Sequence, residues 1–179
     1  MKLTTKKLTA MALLAACVYI TSAYIQITIP TMLGVTRVHL GNAFCLLSGF
    51  ILGPLAGGLS AGLGSVLFDL TNPLYVASAP FTFVFKFLLA FVCGKIARSN
   101  INMPKQFKYL LAAIAGSFTY ILLYLGKEFV SQLIFFQVPL SAVWPVLLTK
   151  LGASSFNAII ATIVSLLLFK SLEKYSIED

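Results

Sequence analysis

Between Leu8 and Phe169 the charged residues are so few, and so spaced, that six apolar segments fit between them. A helix needs about 20 mostly apolar residues to cross a bilayer, and six such stretches use up nearly all of this chain. The 179 residues are 59% hydrophobic and 10% charged, with a mean hydropathy of +0.97. A soluble domain of this size would need far more polar surface. The expectation is an all-α integral membrane protein, a single six-helix membrane domain over 1–179 with both termini cytoplasmic.

Punctuation places the segments. The first covers about 8–29 and is ended by Pro30 and the polar run 31–39. The second covers 40–52, broken by Gly53-Pro54, and the third 55–70, through Gly57, Gly58, Gly62 and Gly64. Asn72-Pro73 closes the third, because proline cannot continue a helix and biases its predecessor away from helical geometry. The fourth opens at Pro80, a favoured first-turn position, and runs to about 96. The fifth covers 107–129 and the sixth 144–169. Lys2, Lys6 and Lys7 before the first apolar run resemble the head of a signal peptide. That run is too long for a typical signal core, and no small-residue cleavage pattern stands out, so a retained helix is expected.

Positive charge sets the orientation. One group, Lys2, Lys6 and Lys7, precedes the first helix. A second, Lys95, Arg98, Lys105 and Lys108, separates the fourth and fifth, and Lys170 and Lys174 follow the sixth. With six spans all three groups share a side, which the positive-inside rule makes the cytoplasm. The net charge of +8 is therefore a topology signal, and no soluble basic face for a nucleic acid is visible. Cys17, Cys45 and Cys93 show neither paired spacing nor a metal pattern and read as small buried residues.

The polar residues that topology leaves unexplained carry the functional reading. Lys86 and Lys150 each lie six residues inside a helix, about 9 Å below its outer end. Asp69 and the Lys127-Glu128 pair lie near the outer ends of the third and fifth helices. Ionisable groups at such depth face a partner charge, the bundle interior or a wet cavity. Five of them from four helices converge on the outer third of the bundle, which predicts a cavity open to the outside. Internal pairs of Asp69 or Glu128 with Lys86 or Lys150 account for the same residues equally well. His39, Asn42, Asn72, Tyr75, Tyr120, Tyr124, Trp144 and Asn157 lie in the outer loops or helices nearby, and rings with a few convergent polar groups suit a small-molecule pocket. Trp144 and Tyr75 equally suit an interfacial aromatic belt. Counting Arg37, the outer half holds four cations against two carboxylates. If two pairs neutralise one another, a strongly cationic ligand such as thiamine is disfavoured.

Catalysis finds little support. A single histidine excludes a two-histidine metal site, Gly62-Leu63-Gly64-Ser65-Val66 does not supply the Gly-x-Ser-Gly of a rhomboid-like protease, and no P-loop sequence is present. A channel would show a ring or a repeated filter. A stand-alone secondary transporter and a membrane assembly protein without ligand remain open readings of the residues alone.

Three blocks carry a family resemblance: His39-Leu40-Gly41-Asn42-Ala43; the run from Leu52-Gly53-Pro54-Leu55-Ala56-Gly57-Gly58 through Gly62-Leu63-Gly64-Ser65 to Asp69-Leu70; and Ala79-Pro80-Phe81-Thr82 followed by Lys86. The chain resembles the S components of energy-coupling factor (ECF) vitamin transporters over nearly its whole length. The family often has Asp where this chain has Asn42. The resemblance implies a binding subunit without its own ATPase or cofactor. It would work with a transmembrane coupling subunit and two ATPase subunits that use ATP, in a prokaryotic cell membrane. It also implies that Ala12 and Ala16, an Ala-x-x-x-Ala element on the first helix, dock on the coupling subunit; small residues one turn apart permit close helix approach. Among such proteins the resemblance is nearest to those for pyridoxine or hydroxymethylpyrimidine, with pantothenate the rival ligand.

Overall fold

The computed structural model describes residues 4–173; Lys2 and Lys174, counted among the orienting charges, lie outside them. Six α-helices pack in one bundle: α1 (Thr5–Tyr24), α2 (Gly41–Leu52), α3 (Pro54–Thr71), α4 (Ala79–Ala97), α5 (Lys105–Val130) and α6 (Leu140–Leu172). A π-helical turn, Ser131–Phe135, extends α5, and a short 3-10 turn, Val76–Ser78, leads into α4. The runs of apolar residues anchor each helix close to where the punctuation puts it. Among the described residues four stretches are long and apolar enough to cross a membrane: Thr5–Tyr24, Val76–Ala97, Lys105–Phe135 and Leu140–Leu172. The 12-residue α2 is about 18 Å long at 1.5 Å per residue.

The all-α expectation needs one correction. Between α1 and α2 stands an antiparallel hairpin, β1 (Gln26–Thr31) with β2 (Gly34–His39), in register from Gln26 opposite His39 to Thr31 opposite Gly34. The first helix therefore stops at Tyr24, and 26–39 is neither helix nor polar loop. Ile27, Thr28, Ile29, Val35, Thr36 and Val38 are β-branched, which costs χ1 freedom in a helix and suits a pleated strand. Gly34, at φ 114°, turns the chain, and Thr31 Oγ1 donates to its carbonyl at 2.9 Å.

Small residues let the inner helices touch. A Cβ on Gly64 would lie 2.4 Å from the Ala15 carbonyl oxygen, so α1 and α3 meet backbone to backbone. Ser60 Oγ donates to the Met11 carbonyl at 2.8 Å across the same contact. Gly49, Gly57 and Gly94 bring α2, α3 and α4 together in the same way. The α2–α3 break is built on Gly53, at φ 78°, with Pro54 opening α3. Arg98 Nη2 closes the junction by donating to the Ile51 carbonyl at 3.2 Å. The fully buried Leu46, Leu47, Phe50, Leu52 and Leu89 form the centre of the core with Cys45 and Cys93. Cys17 is half-buried, and all three cysteines are free. Large apolar side chains such as Leu13, Leu67, Phe118, Leu148 and Leu167 point outward instead, as a helix surface in contact with lipid requires.

Candidate functional site

The hairpin end of the bundle encloses a cavity of about 320 Å³ between β2, α3, α4, α5 and α6. Nine of the twelve residues expected at the site line it: His39, Asp69, Tyr75, Lys86, Tyr120, Tyr124, Glu128, Lys150 and Asn157. Arg37 and Lys127 line it too, together with Thr36, Ser78, Phe81, Thr82, Phe85 and Ser154.

Three expected residues do not. Asn42 is buried in α2 behind the wall, where its Oδ1 accepts from Lys86 Nζ. Asn72 shapes the chain after α3, its Oδ1 accepting from the Leu74 amide at 3.1 Å. Trp144 is 53% exposed on the first turns of α6, its ring 6.4 Å from that of Phe129. A tryptophan turned outward at a helix end suits an interfacial belt.

Two ion pairs cross the site. Lys150 Nζ lies 2.6 Å from Glu128 Oε1, and the same oxygen accepts from Gln132 Nε2 at 2.9 Å. Arg37 Nη2 lies 3.7 Å from Asp69 Oδ1. Its guanidinium sits between two rings, 4.0 Å from the centre of Phe68 and 4.5 Å from that of Tyr75. Of the internal pairs that the sequence offered, Asp69 or Glu128 with Lys86 or Lys150, the pair Glu128–Lys150 forms, whereas Asp69 takes a hairpin arginine. The hairpin brings Arg37 over the end of α3, a contact that no local pattern encodes.

The remaining lining is rich in donors and rings. Lys86 is buried, bonded to Asn42 and held 3.6 Å from the centre of the Tyr120 ring. Tyr120 and Tyr124, one turn apart on α5, stack with ring centres 5.8 Å apart and planes within 8°. Lys127 Nζ donates to Ser78 Oγ at 3.3 Å. Asn157 of α6 bonds twice to the β2 backbone: its Oδ1 accepts from the His39 amide at 2.8 Å and its Nδ2 donates to the Arg37 carbonyl at 2.8 Å. His39 Nδ1 accepts from the Gly41 amide at 3.1 Å, which puts the proton of the neutral ring on Nε2 and makes that atom a donor. Burial, and then the Lys86 and Arg37 charges, hold the imidazole well below its usual pKa range. Such a lining offers ring faces for stacking and donors for the oxygens and nitrogens of a small molecule.

Sequence reasoning missed Phe81, Thr82 and Phe85. Their spacing with Lys86 puts all four on one side of α4, and that register was the available signal. Thr36 reaches the cavity only because the hairpin folds over it.

An apolar helical bundle with a buried, polar, ring-walled cavity at one end defines a membrane protein that binds a small solute. The model of the family described as ECF-type riboflavin transporter, S component, matches residues 2–174. The chain belongs to this family, whose members are membrane substrate-binding subunits, not enzymes, and work with a coupling and ATPase module. A solved S component of a bacterial ECF transporter has the same fold, with a TM-score of 0.66 over 95% of this chain and 96% of that one at 18% identity. An uncharacterised protein of Pyrococcus woesei, from the gap 3′ region, is 28% identical over 113 residues, 63% of this chain and 72% of that one.

Proposed function

We propose that this S component crosses the cell membrane six times with both termini in the cytoplasm, and that its cavity opens outward to capture a planar, ring-containing vitamin. Riboflavin is the first candidate, because the matching family is described by that ligand. The observation that carries the reading is the pairing of the Tyr120–Tyr124 stack on α5 with donors from β2, α4 and α5 itself, Arg37, His39, Lys86 and Lys127. A tricyclic ring lies flat against such a stack, and its carbonyl oxygens and ring nitrogens accept from the donors. A cavity of about 320 Å³ is at the lower end of the range for drug-sized ligands, about 300–1,000 Å³. Pyridoxine or hydroxymethylpyrimidine, smaller rings with hydroxymethyl groups, is the second reading, favoured by the overall sequence resemblance and by the fit of such a ring to tyrosine stacking with Asn, His and Asp hydrogen bonds. Pantothenate is the third.

Captured ligand then needs a motor. The coupling subunit and two ATPases of the module would supply it, with the ATP held on those partners. Ala12 and Ala16 are both exposed on α1, which suits the close helix contact proposed for them.

Titration of the detergent-purified chain with riboflavin, followed by quenching of flavin fluorescence, tests the ligand. Saturation at one flavin per chain is expected. Silence with riboflavin and saturable binding of pyridoxine, hydroxymethylpyrimidine or pantothenate would replace the ligand but keep the binding role. Silence with all four would favour an assembly protein, and gradient-driven uptake by the lone chain would favour a secondary transporter.

A further inference from the structure

The cavity lining contains four cationic side chains, Arg37, Lys86, Lys127 and Lys150, and two carboxylates, Asp69 and Glu128. Both carboxylates are committed. Glu128 is held by Lys150 and Gln132, and Asp69 faces Arg37. Among the described residues no carboxylate lies within ion-pair distance of Lys86 or Lys127; Asp69 acts on both, and Glu128 on Lys127, only from farther away. Lys86 is only 2% exposed, and an amide oxygen and a ring face are what it touches. Lys127 meets a hydroxyl and, at 5.8 Å, the Phe81 ring. A buried ammonium costs free energy unless a counter-charge or a full set of acceptors replaces water, and neither dipoles nor rings supply a full unit of charge.

Resting on the reading of this cavity as the ligand site, we propose that Lys86 and Lys127 form a subsite for an acidic substituent. The preferred ligand is then the anionic form of a vitamin, carrying a phosphate monoester or a carboxylate, and its charge completes the balance of the cavity. The two lysines divide the work by depth. Lys86 is seven residues beyond the start of α4 at Ala79, about 10 Å along the axis, and is held toward α2. Lys127 sits beside Ser78, at the mouth of the same helix. An acidic group entering from the hairpin end meets Lys127 first and feels Lys86 through a low-dielectric interior, where a charge acts over a longer range than in water. The partners of Lys86 also hold its ammonium in place before any ligand arrives, so no ordering cost falls on binding.

Matched ligand pairs that differ in one acidic group test this. Equilibrium dialysis of the purified chain would give Kd values for riboflavin and for riboflavin 5′-phosphate, and for pantothenol and pantothenate. Within the pair that binds, the anionic member is expected to bind about tenfold or more tightly, and the preference should shrink as salt is added. Lys127→Gln should reduce the ratio of the two Kd values about tenfold, and Lys127→Arg should retain it. Lys86→Gln should act likewise, and the half-buried Lys127 keeps the test usable if that variant misfolds. Equal or weaker binding of the anionic member, or a ratio unmoved by Lys127→Gln, overturns the subsite while leaving the flavin reading intact. If neither flavin binds but pantothenate outbinds pantothenol, the flavin reading falls and the anion subsite stands. Silence of all four compounds overturns both.

Discussion

Lys150 of α6 and Glu128 of α5 meet at 2.6 Å with side chains only 5% and 9% exposed, so a desolvated ion pair joins two helices at the cavity wall. Removing one partner of a buried pair strands the other charge, at a cost of about 3–5 kcal/mol. Glu128→Gln and Lys150→Met are each expected to lower the thermal midpoint of the detergent-solubilised chain sharply. The double variant should recover much of the loss, because no lone charge remains. Losses that simply add would show that the two residues act independently.

Glycine substitutions should separate packed from open positions. A Cβ on Gly94 would lie 2.7 Å from the Gly53 carbonyl carbon and 2.8 Å from the Pro54 nitrogen, both backbone atoms that cannot move aside cheaply. Gly94→Ala is expected to destabilise by about 1–3 kcal/mol, the range for an overpacked core. Gly126, within α5, has nothing inside 4 Å of the added atom. There alanine should be neutral or stabilise by up to about 1 kcal/mol, since it is the better helix former. Thermal midpoints of the two variants on opposite sides of the wild type would bear this out, and equal losses would contradict it.

His39 should make stability depend on pH. Its unfolded pKa is about 6.5, and in the fold burial, Lys86 and Arg37 push it well below that. Between the two values the unfolded chain binds more protons than the folded one, so this contribution is fully present above the unfolded value and is lost as pH falls through it. The loss levels off once pH is below the folded pKa. The thermal midpoint should therefore be insensitive to this residue at pH 8 and decline from about pH 6.5 downward. His39→Asn keeps an acceptor for the Gly41 amide but cannot titrate in this range, so its profile should be flatter. Parallel profiles for the two proteins would contradict the assignment.

Ala12 and Ala16 are exposed on α1 and far in sequence from the cavity lining. Ala16→Trp should abolish co-purification with the coupling and ATPase module yet leave ligand affinity unchanged. Undiminished uptake by a double Ala12→Trp, Ala16→Trp chain would exclude this face as the contact.

Much of the architecture was legible because membrane helices are marked locally. Gly53-Pro54 separates α2 from α3, Asn72-Pro73 follows α3 and Pro80 opens α4, each within a residue or two of the expected position. The hairpin was not legible. Ile27 and Ile29 are as apolar as any helix residue, and hydropathy alone does not separate a strand from the end of a helix. Depth within a helix placed Lys86, Glu128 and Lys150 on the cavity, whereas Asn72 and Trp144, near it in sequence, turn to the chain turn and the outer surface.

The amino-acid order by itself determined how the chain divides between apolar helices and polar ends, and that several charges had to lie inside, since each depends on one residue's transfer between environments. The tertiary structure alone decided which charges meet. In sequence Arg37, Lys86, Lys127 and Lys150 are interchangeable cations. The fold over α3 sends Arg37 to Asp69, the α5–α6 contact sends Lys150 to Glu128, and among the described residues Lys86 and Lys127 line the cavity with no carboxylate at ion-pair distance. Pairing is a matter of a few ångströms between distant segments, and electrostatic energy falls with that distance and not with separation along the chain.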